Sequence, residues 1–279
     1  MRDAAQSPLA EFRRLHANGC FVMPNPWDAG TAISLQQLGF KALATTSAGY
    51  AFSRGQADGA IARDEMLRHI ADVVAATPLP VNADFLNGFA DEPEGVAENV
   101  QRCLATGVAG LSIEDSTGRD ASPLYDEDLA INRLRATRSA LDAAGSGALL
   151  TGRCEAFLVG QPDPLHVVLR RLAAYSEAGA DCLYAPGLTD PEEIAAVVRE
   201  VAPKPVNVLI SSFNSGLSLA LVADLGVRRV SVGSGLALAA WSAFLGAARE
   251  MATEGTFKDL AGGATSSELN RLFSAREIE

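Results

Sequence analysis

Eight short apolar runs alternate with helical stretches along this chain, and that alternation is what most restricts its fold. The runs are Phe21–Asn25, Ala42–Ser47, Val81–Asp84, Gly110–Glu114, Ala148–Arg153, Cys182–Ala185, Val206–Leu209 and Arg229–Val232. Between them lie amphipathic patterns such as Glu94–Ala105, Asp128–Ala143, Pro164–Ala178 and Pro191–Val201, and several helices end in the glycine expected of a left-handed cap (Gly39, Gly107, Gly179, Gly226). Strand and helix in strict alternation is the parallel α/β signature. Eight repeats favour a closed (β/α)8 TIM barrel over an open doubly wound sheet. The 279 residues match the roughly 250 of one such barrel, so 1–279 is predicted to be a single domain. A helix within residues 1–20, over about 6–18, would close its bottom, and the tail 262–279 would carry one more short helix, Glu268–Phe273.

In such a barrel every strand end opens on the face where chemistry sits. Asp84 closes the third run, Glu114 the fourth and Arg153 the fifth. Two carboxylates and a guanidinium converging there point to a divalent metal with an anionic substrate beside it. The competing reading is that both acids merely cap the helices that follow. Period-two alternation pairs Thr45 with Ser47, Asn82 with Asp84, Ser112 with Glu114 and Thr151 with Arg153 on one side of their strands. Polar pairs of that kind suit a pocket floor, and burying Arg153 between sheet and helices would be costly. The connections Gly49–Ala62, Phe85–Pro93 and Asp115–Asp126 are long enough to act as lids on that face.

Composition removes several alternatives. A net charge of −11 argues against nucleic acid or an anionic membrane as partner. Four scattered cysteines, with no C-x-x-C pair, read as reduced thiols of a cytoplasmic protein, and the charged N-terminus shows no signal-peptide core. The uncharged stretch Val230–Ala248 is broken by Gly233-Ser234-Gly235 and reads as a strand followed by a buried helix, not a membrane span. Gly233-Ser234-Gly235 itself is at best a weak phosphate cradle. His16, His69 and His166 all fall in helical stretches, which leaves a catalytic triad or a histidine-rich zinc site without its histidine. Tyr50 and Tyr184 are candidate proton donors, although packing is the simpler role for each.

With these residues placed, the chain resembles the isocitrate lyase/phosphoenolpyruvate mutase superfamily, in its phosphonomutase-like branch. The resemblance is carried by Asn25-Pro26-Trp27-Asp28-Ala29-Gly30, Thr45-Thr46-Ser47-Ala48-Gly49, Asp58, Ala83-Asp84, Ile113-Glu114-Asp115 and Arg153 in Gly-Arg-Cys-Glu-Ala, where the family usually has Ala-Arg-Thr-Asp-Ala. It implies Mg2+, with Mn2+ as a substitute, held directly by Asp84 and mostly through water by Glu114 and Asp58. It implies a small 2-oxo carboxylate contacted by Trp27, Ser47, Ala48, Gly49, Arg153 and Asn207, with Arg153, Ser47 and Asp58 taking part in the chemistry. Members share the making or breaking of a bond to C3 of pyruvate through an enolate. They typically exchange the eighth helix between paired subunits, so a homo-oligomer, dimer or tetramer, is implied. The apolar circumference of Leu236–Ala248 independently calls for cover on two sides.

The departures narrow the reaction. The usual second aspartate after strand three is Leu86 here, and the lyase loop Lys-Lys/Arg-Cys-Gly-His is replaced by Ser116-Thr117-Gly118-Arg119-Asp120. The lysine and asparagine of the mutase loop are absent too. Cys154 is no substitute, because alternation points it away from Arg153. The expectation is therefore decarboxylase- or lyase-type cleavage of an oxaloacetate-like acid, which needs little beyond an electron sink. The alternatives are C–P chemistry, as in a phosphonopyruvate hydrolase or phosphoenolpyruvate mutase, and a 2-oxo acid binding protein without turnover.

Overall fold

A computed structural model describes residues 7–211 and 216–274. Its eight parallel strands are β1 (Phe21–Met23), β2 (Leu43–Ala44), β3 (Val81–Asp84), β4 (Gly110–Glu114), β5 (Leu149–Arg153), β6 (Cys182–Tyr184), β7 (Val206–Leu209) and β8 (Arg229–Ser231). Their order, β1-β8-β7-β6-β5-β4-β3-β2, is that of a nearly closed (β/α)8 barrel. The helices are α1 (Pro8–Ala17), α2 (Ala29–Gln37), α3 (Ser47–Ser53), α4 (Arg63–Ala76), α5 (Pro93–Leu104), α6 (Glu127–Ala143), α7 (Pro164–Glu177), α8 (Pro191–Glu200), α9 (Leu219–Asp224), α10 (Gly235–Glu254) and α11 (Ser266–Ser274). The β1/β2 seam has a local cause. Pro24 has no N–H to extend a ladder, so the seam is joined by Ala44 N–H donating to the Pro24 carbonyl at 3.1 Å. The Asn25 amide supplies the rest: Nδ2 donates to the Thr45 carbonyl at 2.8 Å, and Oδ1 accepts from Val232 and Gly233 N–H at 3.0 and 2.9 Å.

The barrel bottom is closed by α1, which starts at Pro8 with Ser7 as its cap. Its Phe12 is fully buried against Met23, Ala42, Ala44, Ala109 and Leu149. Gly110 is glycine because of that plug: a Cβ there would lie 2.8 Å from the Phe12 ring and 2.9 Å from the Leu149 carbonyl. Burial of a phenylalanine side chain contributes on the order of 1.5–3 kcal/mol.

Three expectations need correction. Strand two is shorter than Ala42–Ser47, because Thr46 already caps α3 through Gly49 N–H. For the same reason Gly49–Ala62 is not a continuous loop, since α3 runs to Ser53. The helix after β8 is not buried within the chain. On α10 only Ala237 and Ala247 are buried, whereas Leu236, Leu238, Phe244, Leu245 and Met251 are exposed, with Phe244 at 61%. No helix among the described residues is long and apolar enough to cross a membrane.

Candidate active site

The polar residues at the strand ends meet on the C-terminal face of the barrel. Asp84 ends β3, its N–H donating to Thr45 Oγ1 at 2.9 Å. Its Oδ2 accepts from Ser47 twice, from N–H at 2.9 Å and Oγ at 2.8 Å. Ser47 begins α3, so the first turn of that helix wraps the carboxylate. Gly49 allows the wrap, because a Cβ there would meet Thr46 Cγ2 at 2.7 Å and Ala237 at 3.2 Å.

Arg153 ends β5 and reaches across to three acids. Nη1 lies 3.3 Å from Asp84 Oδ1 and 3.2 Å from Glu114 Oε2, and Nε donates to Glu155. The Glu114 contact is an ion pair without hydrogen-bond geometry, so Oε2 is a buried oxygen with no donor. Burial pushes the Glu114 carboxyl well above the usual carboxylate range; Arg153 opposes the shift, and Glu155 and Asp84 add to it. Glu155 is raised as well, again chiefly by burial. On Arg153, burial works against the charge, but Glu155 and Glu114 prevail and hold it. Behind the cluster, Asp115 fixes Glu155 by accepting its N–H at 2.8 Å, and is itself held by Arg171 at 3.0 Å and Tyr175 Oη at 2.7 Å.

Asp84, Arg153 and Asn207 line one cavity, and Asn82, Ser112, Tyr184, Ser231 and Arg229 share it. The sides chosen by strand alternation therefore do face the interior, and Cys154 points away into the apolar core. Ser47 reaches the cavity through Asp84. Asp58, on the solvent side of Ser47, interacts with it, and partial desolvation of its carboxylate together with the Asp84 charge raises its carboxyl. Gly49 N–H is engaged by Thr46, whereas Ala48 occupies the first turn of α3 between these two anchors. Asn207 is already committed at both ends of its amide, to Ser231 and to Arg229. Trp27 is not brought to the cavity: it lines a separate groove with Trp241 and Phe244. Asp28, from the same motif, forms a capping box with Thr31. Glu155, Ser231 and Arg229 escaped the sequence reading. For Glu155 the signal was present, since it lies two residues beyond Arg153.

Three carboxylates around one guanidinium leave a surplus of negative charge, and Glu114 Oε2 lacks a donor. Among the described residues no three acidic, histidine or cysteine side chains form a preformed metal cage. Hard oxygens on one or two carboxylates nonetheless fit Mg2+, which keeps several of its waters.

A parallel barrel with carboxylates and an arginine at the ends of β3 to β5 has the layout of a barrel enzyme, whose chemistry sits on that face. The family model for phosphoenolpyruvate phosphomutase matches residues 12–252. The chain belongs to that family, within the isocitrate lyase/phosphoenolpyruvate mutase superfamily of lyases and mutases. It is similar to a Burkholderia cenocepacia J2315 protein assigned as a lyase/mutase, at 52% identity over 96% of this chain and 97% of that one, with a TM-score of 0.93. It is 35% identical to an uncharacterized Mycobacterium tuberculosis H37Rv protein, over 80% of this chain and 81% of the relative. The structure of oxaloacetate acetylhydrolase with the product oxalate is 26% identical, with a TM-score of 0.84 over 98% and 97% of the two chains. The superfamily also includes 2,3-dimethylmalate lyase, 2-methylisocitrate lyase and phosphonomutase.

Proposed function

We propose that the chain is a Mg2+-dependent enzyme that binds a small 2-oxo carboxylate and cleaves a bond to C3 by way of a pyruvate enolate. An oxaloacetate-like acid is the substrate that fits best, with loss of CO2 or of a related carbon fragment. The observation that carries this reading is the Arg153 cluster, a cation held among Asp84, Glu114 and Glu155 with negative charge to spare. Asp84 would hold the metal directly, with Glu114 and Asp58 acting through water. When bound, Mg2+ supplies a Lewis acid that neutralises charge developing on the enolate oxygen. Arg153 grips the substrate carboxylate, and the first turn of α3, Ser47 to Gly49, orients it. The relatives named for oxaloacetate and for methylisocitrate act on acids of this size.

The test is a panel of 2-oxo acids incubated with enzyme and Mg2+, with products followed by NMR. Oxaloacetate is expected to be consumed to pyruvate, and Asp84→Ala is expected to lose both Mg2+ binding and turnover while keeping its fold. Consumption of phosphonopyruvate alone would move the reading to C–P chemistry. Metal-dependent binding with no product from any acid would leave a binding protein.

We also propose a homo-oligomer built on α10, whose exposed Leu236, Leu238, Phe244 and Leu245 need cover that the described residues of one chain do not give. Light scattering at micromolar concentration is expected to exceed the monomer mass of 29.1 kDa, and a clean monomer would refute the assembly.

A further inference from the structure

Cleavage at C3 leaves an enolate whose carbon must take up a proton, and the cavity narrows the source. Four of its lining side chains ionise: Asp84, Arg153, Arg229 and Tyr184. Arginine does not give up its proton in a protein. Asp84 Oδ2 is an acceptor for both donors of Ser47. Among the described residues no cysteine and no histidine lines the cavity. Glu114 and Glu155 meet Arg153 but do not line the cavity. Among the side chains that do, that leaves Tyr184, buried at the end of β6, with the Arg153 guanidinium 5.2 Å from its ring centroid.

A column of hydrogen-bonded side chains runs from the base of the barrel to Ser231, which shares the cavity with Tyr184. Arg229 is wholly buried and carries only donors. Its Nε therefore faces Asn207 Oδ1, at 2.8 Å, which turns Asn207 Nδ2 to donate to Ser231 Oγ at 2.9 Å. Ser231, having accepted, keeps its own O–H to donate, and it lines the same cavity as Tyr184. Given to the Tyr184 oxygen, that O–H would leave the phenol proton directed into the cavity. His16 secures the base of this column: Nδ1 donates to the Phe12 carbonyl at 2.8 Å, so Nε2 accepts from Arg229 at 3.2 Å.

We propose that Tyr184 is the catalytic acid that protonates C3 of the pyruvate enolate, with Ser231, Asn207 and Arg229 as positioning residues. This rests on the function proposed above. In the step, the Tyr184 O–H bond breaks and a C3–H bond forms from the enolate electron pair, while the C2 carbonyl is restored. Pyruvate and a tyrosinate result. Solvent water then returns the proton and leaves hydroxide, so no other co-reactant is needed. Arg153, beside the ring, stabilises the transient tyrosinate.

The same group run backwards removes a proton from pyruvate, which gives a test that does not require the leaving group to be known. Pyruvate in D2O with enzyme and Mg2+ is followed by proton NMR of its methyl group, and oxalate binding is measured by calorimetry. The parent is expected to exchange the methyl protons. Tyr184→Phe is expected to exchange at least about 100-fold more slowly, the usual scale of general acid–base catalysis, with oxalate binding unchanged. Ser231→Ala is expected to show an intermediate loss. Equal exchange by Tyr184→Phe and the parent overturns the role of Tyr184 and leaves the enolate reading standing. A parent that binds oxalate yet exchanges nothing overturns both. Should Tyr184→Phe fail to bind oxalate, Ser231→Ala decides, and exchange at the parental rate in that variant counts against the proposal.

Discussion

Two arginines lie buried inside this barrel, one near each end, and their surroundings differ in kind. Arg229, at the start of β8, meets only neutral acceptors: Asn207 Oδ1, Thr151 Oγ1 and His16 Nε2. Arg153, at the end of β5, meets three carboxylates that it cannot balance. The lower arginine is held by dipoles that came with the fold, and its surroundings are complete. The upper one sits in a cluster in which Glu114 and Glu155 are pushed toward protonation. A buried charge surplus is destabilising unless something else neutralises it, and a bound cation is what the proposed function supplies. The lower end is satisfied without a ligand, and the upper end is not.

The largest effects should come from exchanging the arginines one at a time. Arg153→Lys keeps the charge but loses the planar fork that reaches Asp84, Glu114 and Glu155 together. Oxalate affinity is expected to fall about 100-fold, roughly 2.7 kcal/mol, with little change in Tm. Arg229→Met should show the opposite pattern. It strips the donor from three buried acceptors, at a cost of about 2–4 kcal/mol in urea unfolding, while oxalate affinity holds. Calorimetry and unfolding on both variants decide the matter. Unfolding by Arg153→Lys, or an affinity loss without destabilisation in Arg229→Met, would erase the distinction between the two ends.

The upper end was far more legible in the sequence than the lower. Asp84, Glu114 and Arg153 each close an apolar run, and a parallel barrel turns that linear fact into a shared face. Period-two alternation then placed Asn82, Ser112 and Thr151 inside without further information. Glu155 was missed because it follows the strand, where alternation no longer applies, yet its side chain still returns to Arg153. The column below Tyr184 was out of reach for a different reason. Arg229 and His16 are 213 positions apart, and nothing local in either segment marks them as partners. Their pairing follows from barrel closure, which depends on α1 lying across the bottom. Trp27 shows what a motif leaves open: it marks the residue, but where the indole lies depends on the turn through Pro26 into the Asp28 cap, which sets it in the groove with Trp241 and Phe244.

The smallest expected effect concerns the lower end alone. His16 is packed between Phe12, Phe21 and Arg229, and burial, aided by the Arg229 charge, pushes its pKa down to about 3. A histidine whose folded pKa is depressed resists protonation in the native state but takes a proton once unfolded. The stability it contributes is therefore full above the unfolded value near 6.5 and is lost as pH falls toward 3. The slope in that window approaches about 1.4 kcal/mol per pH unit. His69, pushed down to about 4 mainly by burial, acts in the same sense. The raised carboxyl of Glu114 acts in the opposite sense, since the folded state then holds the extra proton. Comparing His16→Gln with the parent cancels both. A glutamine can still accept from Arg229 but cannot titrate, so relative to its own value at neutral pH the variant should lose about 1 kcal/mol less than the parent by about pH 5.5. Urea unfolding at several pH values measures it. Parallel acid limbs in the two proteins would mean that His16 is already protonated in the fold, and Arg229 would then share its neutral setting with a second cation.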